Sequence, residues 1–243
     1  MDIKNNLLAI LQQEKRAKIK GGIYHRLQIV FTYNSNRIEG SQLTEEHTRN
    51  IYETNTIDTQ NTIVNVDDIM ETTNHFRAID YCLDNAMQVL DETIIKLLHK
   101  IVKGGTTDAR LDWFRVGDYK TRPNEVSGQA TTPPNEVATS INNLLVDYNA
   151  KSKITVNDII DFHYHFESIH PFQDGNGRVG RLIILKECLK NNIVPFVITE
   201  SHKPYYYRGL KEYPREQGYL RDTCLSAQDI FKQWLDYFEI GYN

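Results

Sequence analysis

The sequence predicts a mainly α fold carrying one small β-hairpin flap, and three observations lead there. Apolar residues recur at three- and four-residue spacing through most of the 243 positions. Glycines and polar caps fall where those periodic stretches stop. Only residues 116–134, V-G-D-Y-K-T-R-P-N-E-V-S-G-Q-A-T-T-P-P, resist helix, being crowded with Gly, Pro, Thr and Asn.

Taken in order, Leu7, Leu8 and Leu11 open a first helix that gives way at Gly21-Gly22. Ile23, Leu27, Val30, Phe31 and Ile38 share one face of a second, with Gly40 at the C′ position that favours glycine. Thr44-Glu-Glu-His starts a short third. The polar run T-N-T-I-D-T-Q-N-T-I-V-N-V then separates an N-terminal helical arm, 1–65, from a core domain, 66–243. Further helices fit 67–85, 91–103 (stopped by Gly104-Gly105), 136–149, 156–169, 179–190, a segment around 205–211, and 227–239. For the last, Ser226 is the expected N-cap, with Asp229 standing in for the capping-box acid. Within 116–134 the piece 118–121 is β-compatible, so the region reads as a hairpin or flap.

Composition narrows the function. A net charge of −4 with scattered basic residues argues against a nucleic-acid partner. No apolar run reaches the roughly 20 residues needed to cross a bilayer, and the N-terminus lacks an apolar signal core. Three cysteines, Cys82, Cys188 and Cys224, lack C-x-x-C spacing and suit a reducing compartment. The expectation is a soluble, cytoplasmic protein.

The chemistry concentrates in residues 168–181, S-I-H-P-F-Q-D-G-N-G-R-V-G-R. Pro171 forbids helix continuation, so His170 sits where the chain turns. Gly175 and Gly177 allow a tight turn and close approach to a ligand. The turn leads into a helix, whose unpaired N–H groups and dipole favour an anion. Arg178 and Arg181 are three apart and project from one side, a pair that suits a polyphosphate. Asp174 offers the hard oxygen that Mg²⁺ takes, and His170 titrates in the range a general base needs. No Walker A loop is present, so this is nucleotide phosphate chemistry by another route.

H-P-F-Q-D-G-N-G-R-V-G-R resembles the signature H-x-F-x-D/E-G-N-G-R-x-x-R of the Fic family at every fixed position. The similarity extends to L-D-W-F-R-V-G-D-Y-K upstream, the P-P-N-E-V helix start, and Tyr206-Tyr207-Arg-Gly-Leu downstream. The resemblance implies a helical core with a flap, and transfer of AMP from ATP to a protein hydroxyl. It implies His170 as the base, Asp174 on Mg²⁺, and Asn176 with the Gly175 and Gly177 amides around the α- and β-phosphates. Arg178 would face the β-phosphate and Arg181 the γ-phosphate. Tyr206 would lie on the adenine side, or be an ordinary core aromatic. The flap would hold the target by backbone pairing. A target, the chain itself included, and a homodimer are both compatible with the family.

A second stretch, S-N-R-I-E-G at 35–40, resembles the family's inhibitory S-x-x-x-E-G motif. Ser35 and Glu39 share a helix face, and a carboxylate in a last turn is disfavoured by the dipole unless a cation offsets it. The resemblance implies that Glu39 pairs with Arg181 where the γ-phosphate would sit. Two readings stand beside adenylyl transfer: an enzyme acting mainly in AMP removal, and a nucleotide-sensing module without turnover. His163, Glu167 and His170 share a helix face that could mimic a zinc site; packing behind the turn is the plainer role for His163.

Overall fold

The computed structural model describes residues 6–59, 63–126 and 128–242; residues 60–62 of the polar run and 127 of the flap lie outside them. Ten α-helices form among the described residues: α1 (Leu7–Ala17), α2 (Ile23–Ile38), α3 (Glu45–Thr54), α4 (Val66–Asp84), α5 (Glu92–Lys103), α6 (Val137–Asn149), α7 (Val156–Ile169), α8 (Asn176–Lys190), α9 (Lys203–Glu212) and α10 (Gly218–Tyr237). Two two-residue strands, β1 (Glu125–Val126) and β2 (Gln129–Ala130), pair antiparallel with Glu125 opposite Ala130.

Local chemistry explains most boundaries. Asp91 caps α5 by accepting from the Ile94 amide at 2.8 Å. Thr155 and Asp158 form a reciprocal capping box at the start of α7. Helix α2 ends in Glu39, followed by Gly40 at φ 104°, a conformation glycine adopts without strain.

Helix α8 is the centre of the molecule. Thirteen of its 15 residues are buried, so it is enclosed on every side, unlike the one-faced helices around it. Its apolar members Val179, Leu182, Ile183 and Leu185 join one cluster with residues of α1, α2, α4–α7 and α10. Even its charged Lys186 is fully buried: the ammonium donates to the Ala86 and Gln88 carbonyls and to Glu187. Glu187 in turn accepts from the Tyr148 hydroxyl at 3.0 Å. Helices α1 and α2 feed Leu7, Leu11, Ile23, Leu27 and Phe31 into the same cluster, which brings the last turn of α2 against α8.

Three expectations need correction. Helix α10 begins at Gly218, with Gln217 as N-cap, and Ser226 lies inside it. Leu220, Thr223, Cys224, Ala227 and Phe231 are buried at helical spacing, so the apolar stripe runs straight through the supposed cap. Residues 118–121 are irregular, not extended strand. There the backbone is claimed by non-ladder partners, the Lys120 amide donating to the Pro171 carbonyl at 2.9 Å. Helix α8 also starts three residues before the expected 179, directly on Asn176.

Candidate active site

Pro171 ends α7 and leaves His170 as its C-cap in the left-handed region, φ 51°. Phe172 then anchors the turn: it is fully buried and stacks on His99 with ring centroids 3.9 Å apart. Asn176 locks it from the other side, its amide oxygen accepting from the Phe172 N–H at 2.8 Å and its amide nitrogen donating to the Phe172 carbonyl at 2.9 Å. Gly175, at φ 82°, turns the chain into α8, and no side chain caps that helix. The opening N–H groups of α8 are thus free of any capping side chain at the head of the central helix.

Each arginine of the motif has its own set of partners. Arg178, with its side chain 4 % exposed, pairs with Glu71 of α4 and with Asp174, the latter at 3.2 Å. Lys103, the last residue of α5, donates to the same two carboxylates at 2.7 Å each and to Asp108 at 3.0 Å. Asp174 is consequently held well below the usual carboxylate range, at about 2: the Arg178 and Lys103 cations outweigh its burial. His99 fastens the turn from behind, Nδ1 accepting from the Gly117 amide at 2.9 Å. Nε2 therefore carries the proton and donates to the Asp174 carbonyl at 3.2 Å.

Arg181, one turn along, reaches α2. Its Nε donates to the Ser35 hydroxyl at 3.0 Å, and Nη2 donates to the Ser35 carbonyl at 2.8 Å and to Glu39 Oε1 at 2.7 Å. Nη1 has no partner. Gly177 lies between: a Cβ there would collide with Glu39 Oε1 and stand 3.0 Å from Arg181 Nη1.

His170 faces a cavity of about 350 Å³ together with Glu39, Gly177, Arg181 and Glu167. Flap residues Val126, Ala130 and Thr131 wall one side. Burial, reinforced by the Lys120 ammonium, depresses the imidazole to about 4, so it is neutral near pH 7 and able to accept a proton. Lys120 is itself pushed down to about 8 by burial. It donates to Asn124 Oδ1 at 2.8 Å and Thr131 Oγ1 at 2.6 Å, while Asn124 donates to the Phe172 carbonyl at 3.0 Å. Those bonds fasten the base of the flap to the catalytic turn.

One sequence expectation changes, and a second keeps both of its readings. The Asn176 side chain is spent on Phe172, so only its backbone is available to a ligand. Tyr206 is 1 % exposed, packs among Ile38, Ile184 and Leu220, and shares a 2.6 Å hydrogen bond with His163 Nε2. It is packed as a core aromatic and also lines the cavity, so both of its expected roles stand. Tyr207, 40 % exposed and donating to the Ile38 carbonyl at 3.3 Å, borders the same cavity, as does Tyr164.

Glu71, Lys103, His99, Lys120 and Glu167 are the site residues that sequence reasoning missed. Glu167 is the least ordinary: burial raises its carboxyl to about 8, and its Oε1 has no partner. Among the described residues no three His, Cys, Asp or Glu side chains gather as a metal cage, which removes the zinc reading of His163, Glu167 and His170. Asp174 does suit a divalent cation. Its ionised carboxylate is about half exposed, and Mg²⁺ is commonly held by one or two carboxylates with phosphates completing the sphere.

A central helix headed by an uncapped glycine turn, with a flap bonded to that turn, defines the molecule as a Fic-type helical domain. Residues 89–188 match the Fic/DOC family model. The chain is 28 % identical to the protein adenylyltransferase Fic of Drosophila melanogaster over 253 aligned residues, covering 98 % of this chain and 47 % of that one. The Drosophila virilis protein of the same name is 27 % identical, with 48 % of it covered. The chain thus spans about half the length of the curated relatives it matches. A Fic domain containing signaling protein from Bacteroides thetaiotaomicron superposes with a TM-score of 0.75 at 22 % identity, covering 94 % of both chains. Fic-1 from C. elegans superposes at 0.74 and 16 % identity, covering 98 % of this chain and 73 % of that one.

Proposed function

We propose that this protein transfers AMP from ATP to a hydroxyl group of a protein, and that Glu39 holds the reaction in check. The observation that carries the reading is a neutral His170 on the same cavity as Arg181 and the head of α8. The target hydroxyl oxygen forms a bond to the α-phosphorus, the bond to the β-phosphate oxygen breaks, and diphosphate leaves. His170 takes the hydroxyl proton. The α8 N–H groups bind the phosphate oxygens between the reacting centre and the leaving group. Arg178 and Arg181 bind the β- and γ-phosphates. A Mg²⁺ held by Asp174 would neutralise phosphate charge in the leaving group. The flap's short strands offer a backbone edge to the target segment.

Glu39 occupies Arg181 at 2.7 Å, and the γ-phosphate must replace it for ATP to seat productively. The same carboxylate supports a second reading, AMP removal, in which it would take a proton from an attacking water. Incubation with α-labelled and γ-labelled ATP separates the readings. Label from the α position alone on protein supports adenylyl transfer. Label from the γ position alone overturns it in favour of a kinase. Absence of both, with loss of AMP from a modified protein, supports removal.

A further inference from the structure

Lys103 has no place in the reaction just described, yet its ammonium sits at the most highly charged point of the site. Its side chain is 3 % exposed, and three carboxylates, Glu71, Asp108 and Asp174, approach Nζ within 3.0 Å. They come from α4, from the short 3-10 turn Asp108–Arg110 and from the catalytic turn. Burial works against the charge, and the Asp174 and Glu71 carboxylates outweigh it. The stem packs over Gly175, where a Cβ would lie 3.3 Å from its Cγ, and its ammonium stands 5.6 Å from the Phe114 ring centroid. With Arg178 paired to Glu71 and Asp174, two cations face three carboxylates.

Three converging carboxylates without a cation between them are what an all-protein divalent site is made of. Here the space they share is filled by the ammonium, which is why they form no metal cage. We propose that Lys103 is a tethered counter-ion of the Asp174 site: it takes one Asp174 oxygen and both neighbouring carboxylates, so a divalent cation is held only together with the nucleotide's phosphates. The proposal rests on the reading of Asp174 as the metal-holding residue. Its consequence is ordered loading. The free protein ignores free metal, and the metal arrives as the nucleotide complex.

The test is binding of Mn²⁺ to the full chain, followed without nucleotide by the electron paramagnetic resonance signal of the free ion and with ATP by equilibrium dialysis against Mn²⁺–ATP, which reads the metal retained by the protein. The parent should take up Mn²⁺ weakly alone and well with ATP. Lys103→Met should bind Mn²⁺ alone at least about tenfold more tightly, because a unit charge a few ångströms from a divalent ion dominates its electrostatics. Lys103→Arg should behave as the parent, and Asp174→Asn in the Lys103→Met background should abolish the gain. If circular dichroism shows Lys103→Met unfolded, Lys103→Gln keeps a donor for the carboxylates and takes its place. Affinities no tighter than the parent's in the folded variant, with Mn²⁺–ATP still bound, overturn the proposal and leave the proposed function standing. Failure of every form to take up Mn²⁺ with ATP overturns both the metal role of Asp174 and this inference.

Discussion

The two arginines of the glycine-rich turn sit one helical turn apart on α8 and live in opposite circumstances. Arg178 belongs to a five-charge cluster drawn from five places in the fold, with Glu71, Asp108 and Asp174 facing it and Lys103. Arg181 has one carboxylate, Glu39, and the hydroxyl and carbonyl of Ser35, all from the end of one helix. The cluster at Arg178 is cross-braced, so no single partner can leave without stranding buried charge. The contact at Arg181 has a single carboxylate to lose, Glu39, while the two Ser35 oxygens keep Nε and Nη2 bonded. One arginine is braced on several sides and the other is held by the end of a single helix.

The largest effect tests whether both arginines serve the same reaction. His170→Ala should lower adenylyl transfer by about 10²–10⁴-fold while ATP binding persists, since both phosphate-binding arginines remain. Transfer within a few-fold of the parent would remove His170 as the base. Because the imidazole is held at about 4, the parent's rate should fall off in acid only near that value, not near 6.5. A profile of kcat/KM against pH, which reports the ligand-free protein, reads this directly.

Next, Glu71→Gln should destabilise the fold by about 3–5 kcal/mol, the usual consequence of breaking a buried ion pair. A thermal melt showing less than about 1 kcal/mol of change would mean that the Arg178 cluster is not braced as described. Glu39→Gly should act mainly on the rate. A charge-assisted contact worth roughly 1.5–3 kcal/mol opposes the γ-phosphate, so its removal should raise AMP transfer by about 10- to 150-fold, measured with α-labelled ATP. Its melting temperature should fall by several degrees, less than that of Glu71→Gln. Equal rates in parent and variant would reduce Glu39 to a helix-end carboxylate.

The smallest effect concerns Glu167, which stands behind Arg181. Its folded value, about 8, lies above the ordinary 4.5. Between those values the folded chain keeps a proton that the unfolded chain has lost, so this group costs stability as pH rises through the window. Glu167→Gln should therefore raise the melting temperature relative to the parent at pH 9 more than at pH 5. An equal difference at both values would mean the carboxyl is ionised in the fold.

The legible parts of this molecule are those in which cause and residue lie close together in the chain. Helix α7 could be bounded at both ends because Thr155, Asp158 and Pro171 are its own punctuation. The turn could be read because its glycines, acid and arginines are consecutive. Glu39 was visible through a helix that ends on an anion before a glycine. Lys103 was not: at the end of α5 it looks like any cation favoured by the helix dipole, and its partners lie 32 and 71 positions away. Glu71 was hidden for the same reason. The Tyr205–Tyr207 run shows a subtler limit. Adjacent helical residues point about 100° apart, and the sequence alone could not say which of them faces His163. In α10 the early turns carry Gly218 and Thr223, which blur the stripe that the packing makes plain.

The last turn of α2 has a consequence for timing. Twelve of the helix's 16 residues are buried, so α2 does not swing as a body. Ile38 and Glu39 sit at its very end, before Gly40, pinned there by the Tyr207 hydroxyl on the Ile38 carbonyl and by Arg37 on the Ser41 carbonyl at 2.9 Å. Only the Glu39 side chain, a quarter exposed, must rotate to free Arg181. Rotamer changes of exposed side chains take picoseconds to nanoseconds, and those held by an ion pair remain fast against catalytic turnover. On the proposed reading, a check of this kind would be one of occupancy and not of waiting: it would answer at once to nucleotide concentration and leave no lag after a change in ATP.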